Sequence, residues 1–454
     1  MSLFTQDAGK AFGTSPFMVL SRAKYPRQPN ARTVWGASLT DVFKYEVDGD
    51  TFRFAGSFEI NKLPLWVGWN LFTLPGDRVV VPNPSGLRIG RYRGTPCYGT
   101  APSLMVFQDG PTPVSPIECV HAFEFTQSAL SEACGFRRTA IGTTAVLTGE
   151  LLNGEVAVTI VEERGRGRRK EQITHLAVLD PDLSRIVACA PVGQGTASNQ
   201  FPVDRDASGA SIAYVATETE IVKMRRSSSQ GTFERVDAAR TNFRGRTGTT
   251  PTLMDTSDGR RLLIVVDGRC AVTKVFTGEI ECSEDNRPSE LVVLDRDNLS
   301  AQPLRVPLPE IIDTVENSPA VLGGDIVVAN YSGYTPDGIK DGSPDFARGI
   351  VKLRWTGTGF AQAWLRNDLQ ISGIPTISSA SQMVYSSGAE ADGNTYVYGL
   401  DLATGETRYR ALAGPSKSTS ERLRDGVFDA GNNTLINDDG SAIFPAGETL
   451  VRAR

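Results

Sequence analysis

The 454-residue sequence predicts an all-β fold made from one repeated four-stranded unit, and three observations carry that expectation. Helical periodicity is confined to two short stretches, ALSEACGFRR (129–138) and SKSTSERLRD (416–425). Period-two apolar patterns bounded by turn residues fill most of the rest. A strand–polar turn–strand segment recurs, and upstream of most copies stands a shorter apolar strand opened by a small polar residue and proline. Gly 45 and Pro 26 suit many turns without any low-complexity period.

The most readable copy of the outer segment is VYGLDLATGETRYR (397–410), with Asp401 at the turn. Sliding it along the chain aligns Asp180 in HLAVLDPDLSRIVA and Asp295 in ELVVLDRDNLSAQPL. Arg225 and Arg354 take the same post in IVKMRRSSSQGTFERV and GIVKLRWTGTGFAQAW, and Glu46 and Gln108 take it nearer the N-terminus. The posts are 62, 72, 45, 70, 59 and 47 residues apart, spacing that suits four short strands with variable loops. The upstream strand reads TSPFMVL, TTPTLMD, NSPAVLG and GIPTISS, with looser copies in NQFPVDRD and GTTAVLTG. Proline is tolerated at the first residue of a strand, where its missing N–H costs no ladder bond. The tail after residue 425 supplies strands of a further unit. Repeats of this size predict a single β-propeller spanning 1–454, eight-bladed with seven blades as the alternative, closed by contacts between the N- and C-terminal segments.

Composition narrows the partners. Lys+Arg 47 against Asp+Glu 52 gives a net charge of −5, with no basic field for nucleic acid. No run approaches the ~20 apolar residues of a membrane span. The first twenty residues lack the basic and apolar regions of a secretory signal, so a water-soluble cytoplasmic chain is the default expectation. A secreted or periplasmic one follows if a leader has been lost. None of the six cysteines forms CxxC. Buried free thiols are the plain expectation, with a Cys270–Cys282 loop staple as the alternative.

GLDLATGETRY (399–409) resembles the tryptophan-docking pattern A-x-D-x-x-T-G-x-x-x-W of quinoprotein-like, PQQ-dehydrogenase-type propellers, departing at Gly399 and Tyr409. The resemblance implies that Asp401, Thr404 and Gly405 shape an outer turn while an aromatic residue packs between blades. Tyr409 fills that role here, and Trp364 supplies the equivalent aromatic for its own blade. Members of that family that use PQQ combine channel Arg, Asn, Thr and carboxylate groups with calcium and, in many cases, adjacent cysteines; this chain has no Cys-Cys.

Chemistry is sparser. The two histidines, His121 and His175, read as polar strand positions, and two imidazoles cannot assemble a multi-histidine metal centre. No GxSxG, Walker, HExxH or placed GxGxxG motif occurs. GRGRRK (165–170) reads as a solvated hairpin tip, and Trp66 and Trp69 as core residues with substrate stacking as the alternative. In a propeller, residues just before the inner strands line the channel mouth: Asn70, Thr143, Asn199, Thr250, Glu316, Asn317, Ser318 and Asp425. Glu316 and Asn317, with Arg246, are the expected catalytic groups, and Arg424 is a further channel candidate. The Glu316–Asn317 pair also suits an oxygen-donor calcium site of the kind propeller lactonases hold; capping of a strand-start turn is the plainer reading.

The functional expectation is an enzyme acting on a small organic molecule in the funnel, by lyase, isomerase or hydrolase chemistry. A non-enzymatic protein-binding scaffold is the alternative, and a PQQ-dependent dehydrogenase a third.

Overall fold

The computed structural model describes residues 3–7, 17–28, 31–37, 41–48, 51–60, 71–83, 87, 89, 92–136, 141–151, 154–164, 171–197, 200–227, 231–241, 243, 249–274, 279–284, 287–313, 315, 317–330, 348–371, 373–390, 392, 394–415, 434–437, 441–446 and 449–453. The chain divides into two compact units. Phe17–Asn242 contains four four-stranded antiparallel sheets, numbered 1 to 4 here and spanning 17–59, 72–124, 141–194 and 203–240. Phe243–Arg454 with Met1–Pro16 contains four more: sheet 5 (252–307), sheet 6 (320–370), sheet 7 (376–415) and sheet 8 (435–453 with Leu3–Asp7). A two-stranded hairpin, Cys270–Lys274 with Glu279–Cys282, rises from sheet 5.

The sequence pattern maps directly onto these sheets. Each anchor post lies at or beside the end of a third strand, as Gln108 ends Ser103–Gln108 and Asp401 ends Asn394–Asp401. The proline-opened segments are the innermost strands: Pro202, Pro251, Pro319 and Pro375 stand immediately before Val203–Arg205, Thr252–Asp255, Ala320–Leu322 and Thr376–Ser378. The innermost strands of sheets 1 and 2, 2 and 3, 5 and 6, and 6 and 7 lie side by side. Strand Leu3–Asp7 pairs with Thr449–Ala453, so the two ends of the chain share sheet 8. Of the two helical stretches, the first forms Gln127–Cys134, capped by the Thr126 side chain and ended by left-handed Gly135. The second falls outside the described residues.

Second and third strands are apolar on both faces, so the core is divided among the sheet interfaces. Trp35, Val81, Met105 and Phe107 fill the space between sheets 1 and 2, and Val80, Leu104, Val158 and Ala177 that between sheets 2 and 3. Val328, Val351 and Ile264 join sheets 5 and 6.

The six cysteines form three disulfides, which corrects the expectation of free thiols. Cys270–Cys282 closes the hairpin, as the alternative reading had it. Cys97–Cys119 ties the long second-to-third-strand connection of sheet 2 to its outer strand, and Cys134–Cys189 ties the helix to sheet 3. Separations of 22 and 55 residues hid these two. Only the folded sheets bring their Cβ atoms into bonding geometry.

Candidate functional site in the loops of sheets 5 and 6

Two of the expected rim residues are braced together. Thr250 N donates to Ser318 Oγ at 3.0 Å, and Thr252 Oγ1 donates to Pro319 O at 3.2 Å, linking the inner strands of sheets 5 and 6. A similar brace joins sheets 7 and 8 through Thr376 Oγ1 and Thr434 O. Ser318 is therefore a strand-start cap. Asn317 beside it is buried, with 2 % of its surface exposed.

The adjoining second-to-third-strand connection of sheet 5 folds onto the segment leading to Asn317. Gly268 approaches Val315 so closely that a Cβ there would lie 3.4 Å from Val315 N and 2.9 Å from Cys270 O. Cys270 N and Ser289 Oγ both donate to Asp313 O at 2.9 Å, and Ser289 Oγ accepts from Arg269 N. Ser283 N, next to the other half of the disulfide, donates to Arg269 O. Within this clasp Arg269 Nε and Asp313 Oδ1 are enclosed and have no hydrogen-bond partner. Asp267, 1 % exposed, and Glu290 stand opposite each other on neighbouring strands, and Arg305 neutralises both at 3.3 and 2.9 Å. Asn330 completes this loop end, its amide donating to Ile311 O and Arg348 O.

Glu316 and Arg246 lie outside the described residues, as do Asn70, Asn199, Asp425, Arg424, Trp66, Trp69 and the 165–170 basic run. Thr143 lies in strand Ile141–Glu150. Sequence reasoning missed Arg269, Asp313 and Ser289; the only signal near them was the adjacent cysteine. Among the described residues no group of three or more His, Cys, Asp or Glu is placed to hold a metal ion.

The histidines sit elsewhere. His121 Nε2 donates to Leu183 O at 2.8 Å. His175 is buried with Nε2 3.0 Å from Glu162 Oε2, and burial lowers its pKa despite that carboxylate. The docking turn is structural. Asp401 Oδ1 accepts from the Ala403 and Thr404 amides, and Arg408 with these amides holds its carboxyl down to about 2. Trp364 of sheet 6 packs on Gly405 of sheet 7, where a Cβ would lie 2.8 Å from the indole ring. Tyr409 packs toward sheet 8 with Tyr385, Ile436 and Phe444.

Fold and packing define a β-propeller protein of four-stranded antiparallel blades. No protein-family model matches the chain, and no curated protein is similar to it in sequence. Among solved structures it is similar to a candidate 6-phosphogluconolactonase of Bacteroides fragilis at 10 % identity, covering 89 % of this chain and 97 % of that one with a TM-score of 0.42. A second such protein, from Bacteroides uniformis, gives 9 % identity, 88 % and 98 % coverage and a TM-score of 0.44. A protein from Lactobacillus plantarum gives 10 %, 89 %, 97 % and 0.45. No helix of the described residues is long and apolar enough to cross a membrane.

Proposed function

We propose that the chain binds a small polar organic molecule at the loops of sheets 5 and 6 and acts on it by lyase, isomerase or hydrolase chemistry. The observation that supports this reading is the pair of enclosed, unpartnered groups of opposite charge, Arg269 Nε and Asp313 Oδ1, held in one clasp. Enclosed polar atoms in folded proteins nearly always have a partner, and leaving one without costs about 1–3 kcal/mol. A molecule carrying both a hydroxyl and a carbonyl or carboxylate would satisfy the two together. Asn317, Glu316 and Arg246 are the proposed reacting or polarising groups, and the guanidinium and carboxylate orient the substrate.

The test equilibrates the purified full-length chain with a polar metabolite extract, washes it, and identifies heat-released molecules by mass spectrometry. One polar species should be retained by the wild type and fall at least tenfold in Arg269→Met and in Asp313→Asn. A wild-type profile matching that of a bystander protein would sink the site and favour the scaffold reading. So would undiminished retention by both variants.

We further infer that the chain matures in an oxidising compartment rather than the cytoplasm, because disulfides persist there and all six cysteines are paired. Peptide mapping of unreduced, natively produced protein tests this; six free thiols would reverse it.

A further inference from the structure

The Cys270–Cys282 disulfide stands apart from the other two. Cys97–Cys119 and Cys134–Cys189 pack into the cores on either side of sheet 2. Cys270 is 4 % exposed, but Cys282 is the one cysteine of the six that is open to solvent. The pair crosslinks directly opposed residues of the hairpin Cys270–Lys274 with Glu279–Cys282, whose two strands pair only with each other among the described residues. An isolated two-stranded hairpin is marginally stable in water, so the crosslink is what keeps its base closed.

That base is part of the clasp. Cys270 N donates to Asp313 O at 2.9 Å, and Ser283 N donates to Arg269 O at 2.9 Å. Arg269 N donates to Ser289 Oγ at 2.9 Å, and the same hydroxyl donates to Asp313 O. One half of the disulfide thus holds Asp313 through its own amide. The residues flanking the two halves, Arg269 and Ser283, hold each other. The enclosed Arg269 Nε and Asp313 Oδ1 owe their spacing to these bonds.

We propose that Cys282 is a site of thiol–disulfide exchange, and that reduction by a dithiol opens the clasp around Arg269 and Asp313. A thiolate of the reductant attacks Cys282 Sγ, the sulfur on the solvent side, and forms a mixed disulfide. The bond to Cys270 breaks, and Cys270 leaves as a thiolate that takes up a proton. The reductant's second thiolate then attacks its partner sulfur in the mixed disulfide and releases Cys282, which is protonated in turn. Two electrons and two protons pass to the protein, and the dithiol becomes a disulfide. A molecule held between Arg269 and Asp313 is then let go. That release rests on the proposed function of the clasp; the exchange and the opening do not.

The experiment takes the oxidised full-length chain through graded dithiothreitol and, in parallel, graded reduced thioredoxin, so that a small dithiol and a protein dithiol are told apart. Each sample is read three ways: alkylation of freed thiols with peptide mapping, amide hydrogen exchange, and retention of species from a polar metabolite extract. Cys270 and Cys282 should be labelled before the other four cysteines. At that stage exchange of the Arg269, Cys270 and Ser283 amides should rise at least tenfold, retention should fall at least tenfold, and reoxidation should restore both. Cys270→Ser combined with Cys282→Ser should show the open values without any reductant. Labelling of the other cysteines first, or clasp amides that stay protected once Cys270 and Cys282 are free, overturns the proposal. Amides that open while retention is unchanged overturn the release. Retention by the oxidised chain no greater than that of a bystander protein, with the amides still responding, sinks the binding reading and leaves the exchange site standing.

Discussion

The joint between sheets 1 and 2 and the joint between sheets 6 and 7 solve one problem in two ways. In each, a fully buried lysine stands two residues before the third-strand post and reaches the residue just after the next sheet's post. Lys44 donates to Asp109 Oδ1 at 2.9 Å, and Lys352 donates to Leu402 O at 2.7 Å. At the first joint the counter-charge lies across the interface. Asp109 also accepts from Thr33 Oγ1 and Trp35 Nε1, at 2.6 and 3.0 Å. At the second joint the counter-charge is local: Asp325 of the same sheet lies 2.7 Å from Lys352 and is shared with Arg354. The contact across that interface is a neutral carbonyl, which Trp364 Nε1 also reaches at 3.1 Å. A buried charge must have a partner, but the fold does not dictate which sheet supplies it.

Breaking the lysines should expose the difference most strongly. Lys44→Met strands Asp109 as an unpaired buried carboxylate, and about 3–5 kcal/mol of stability should be lost in chemical denaturation. Lys352→Met leaves Asp325 with Arg354 and Leu402 O with the indole, so its loss should be about 1–2 kcal/mol. Equal losses would mean that the local counter-charge gives no protection. Adding Asp109→Leu to Lys44→Met should recover most of the larger loss, since both charges are then gone.

The second joint has its own weak point, at Gly405. It has φ of +75° and lies under the Trp364 ring. Gly405→Ala should cost about 2–4 kcal/mol, combining left-handed strain with overpacking against the indole. The same substitution at Gly357, with φ of +95° and open space around it, should show strain alone. Thermal midpoints of the two variants measure the packing part.

Acid should separate the joints by a smaller margin. Burial raises the Asp109 carboxyl, but the Lys44 charge and the bonds from Thr33, Trp35 and Lys44 outweigh it and leave its pKa below the ordinary 3.8. Its folded pKa is thus below its unfolded one. The stabilisation is complete above about pH 4 and is lost as pH falls through the lower folded value. Without Lys44 the burial effect is unopposed by that charge, and the acid-unfolding midpoint should move to higher pH. Asp325 is also lowered, burial opposing the bonds from Arg354 and Lys352. Lys352→Met should move the midpoint less, since Arg354 remains. Circular dichroism between pH 2 and 6 would check both.

The sequence by itself determined the repeated strand–turn–strand unit, the proline-opened inner strands and the docking turn at Asp401. These are local: period-two burial, a proline without an N–H and a glycine at positive φ each leave a mark within a few residues. It also placed Trp364 as an interblade aromatic, because the repeat aligned its strand with that of Tyr409. The tertiary structure alone decided which distant groups meet. Lys44 finds Asp109 65 residues away, Cys134 finds Cys189, and Arg269 shares a clasp with Asp313. Of the expected rim residues, Thr250 and Ser318 meet in a brace between inner strands, with Ser318 as a strand-start cap, and Asn317 is buried beside it. Sheet interfaces and loop ends are built from residues far apart in the chain, so their charge pairing, disulfides and unspent polar atoms have no period for a sequence to display.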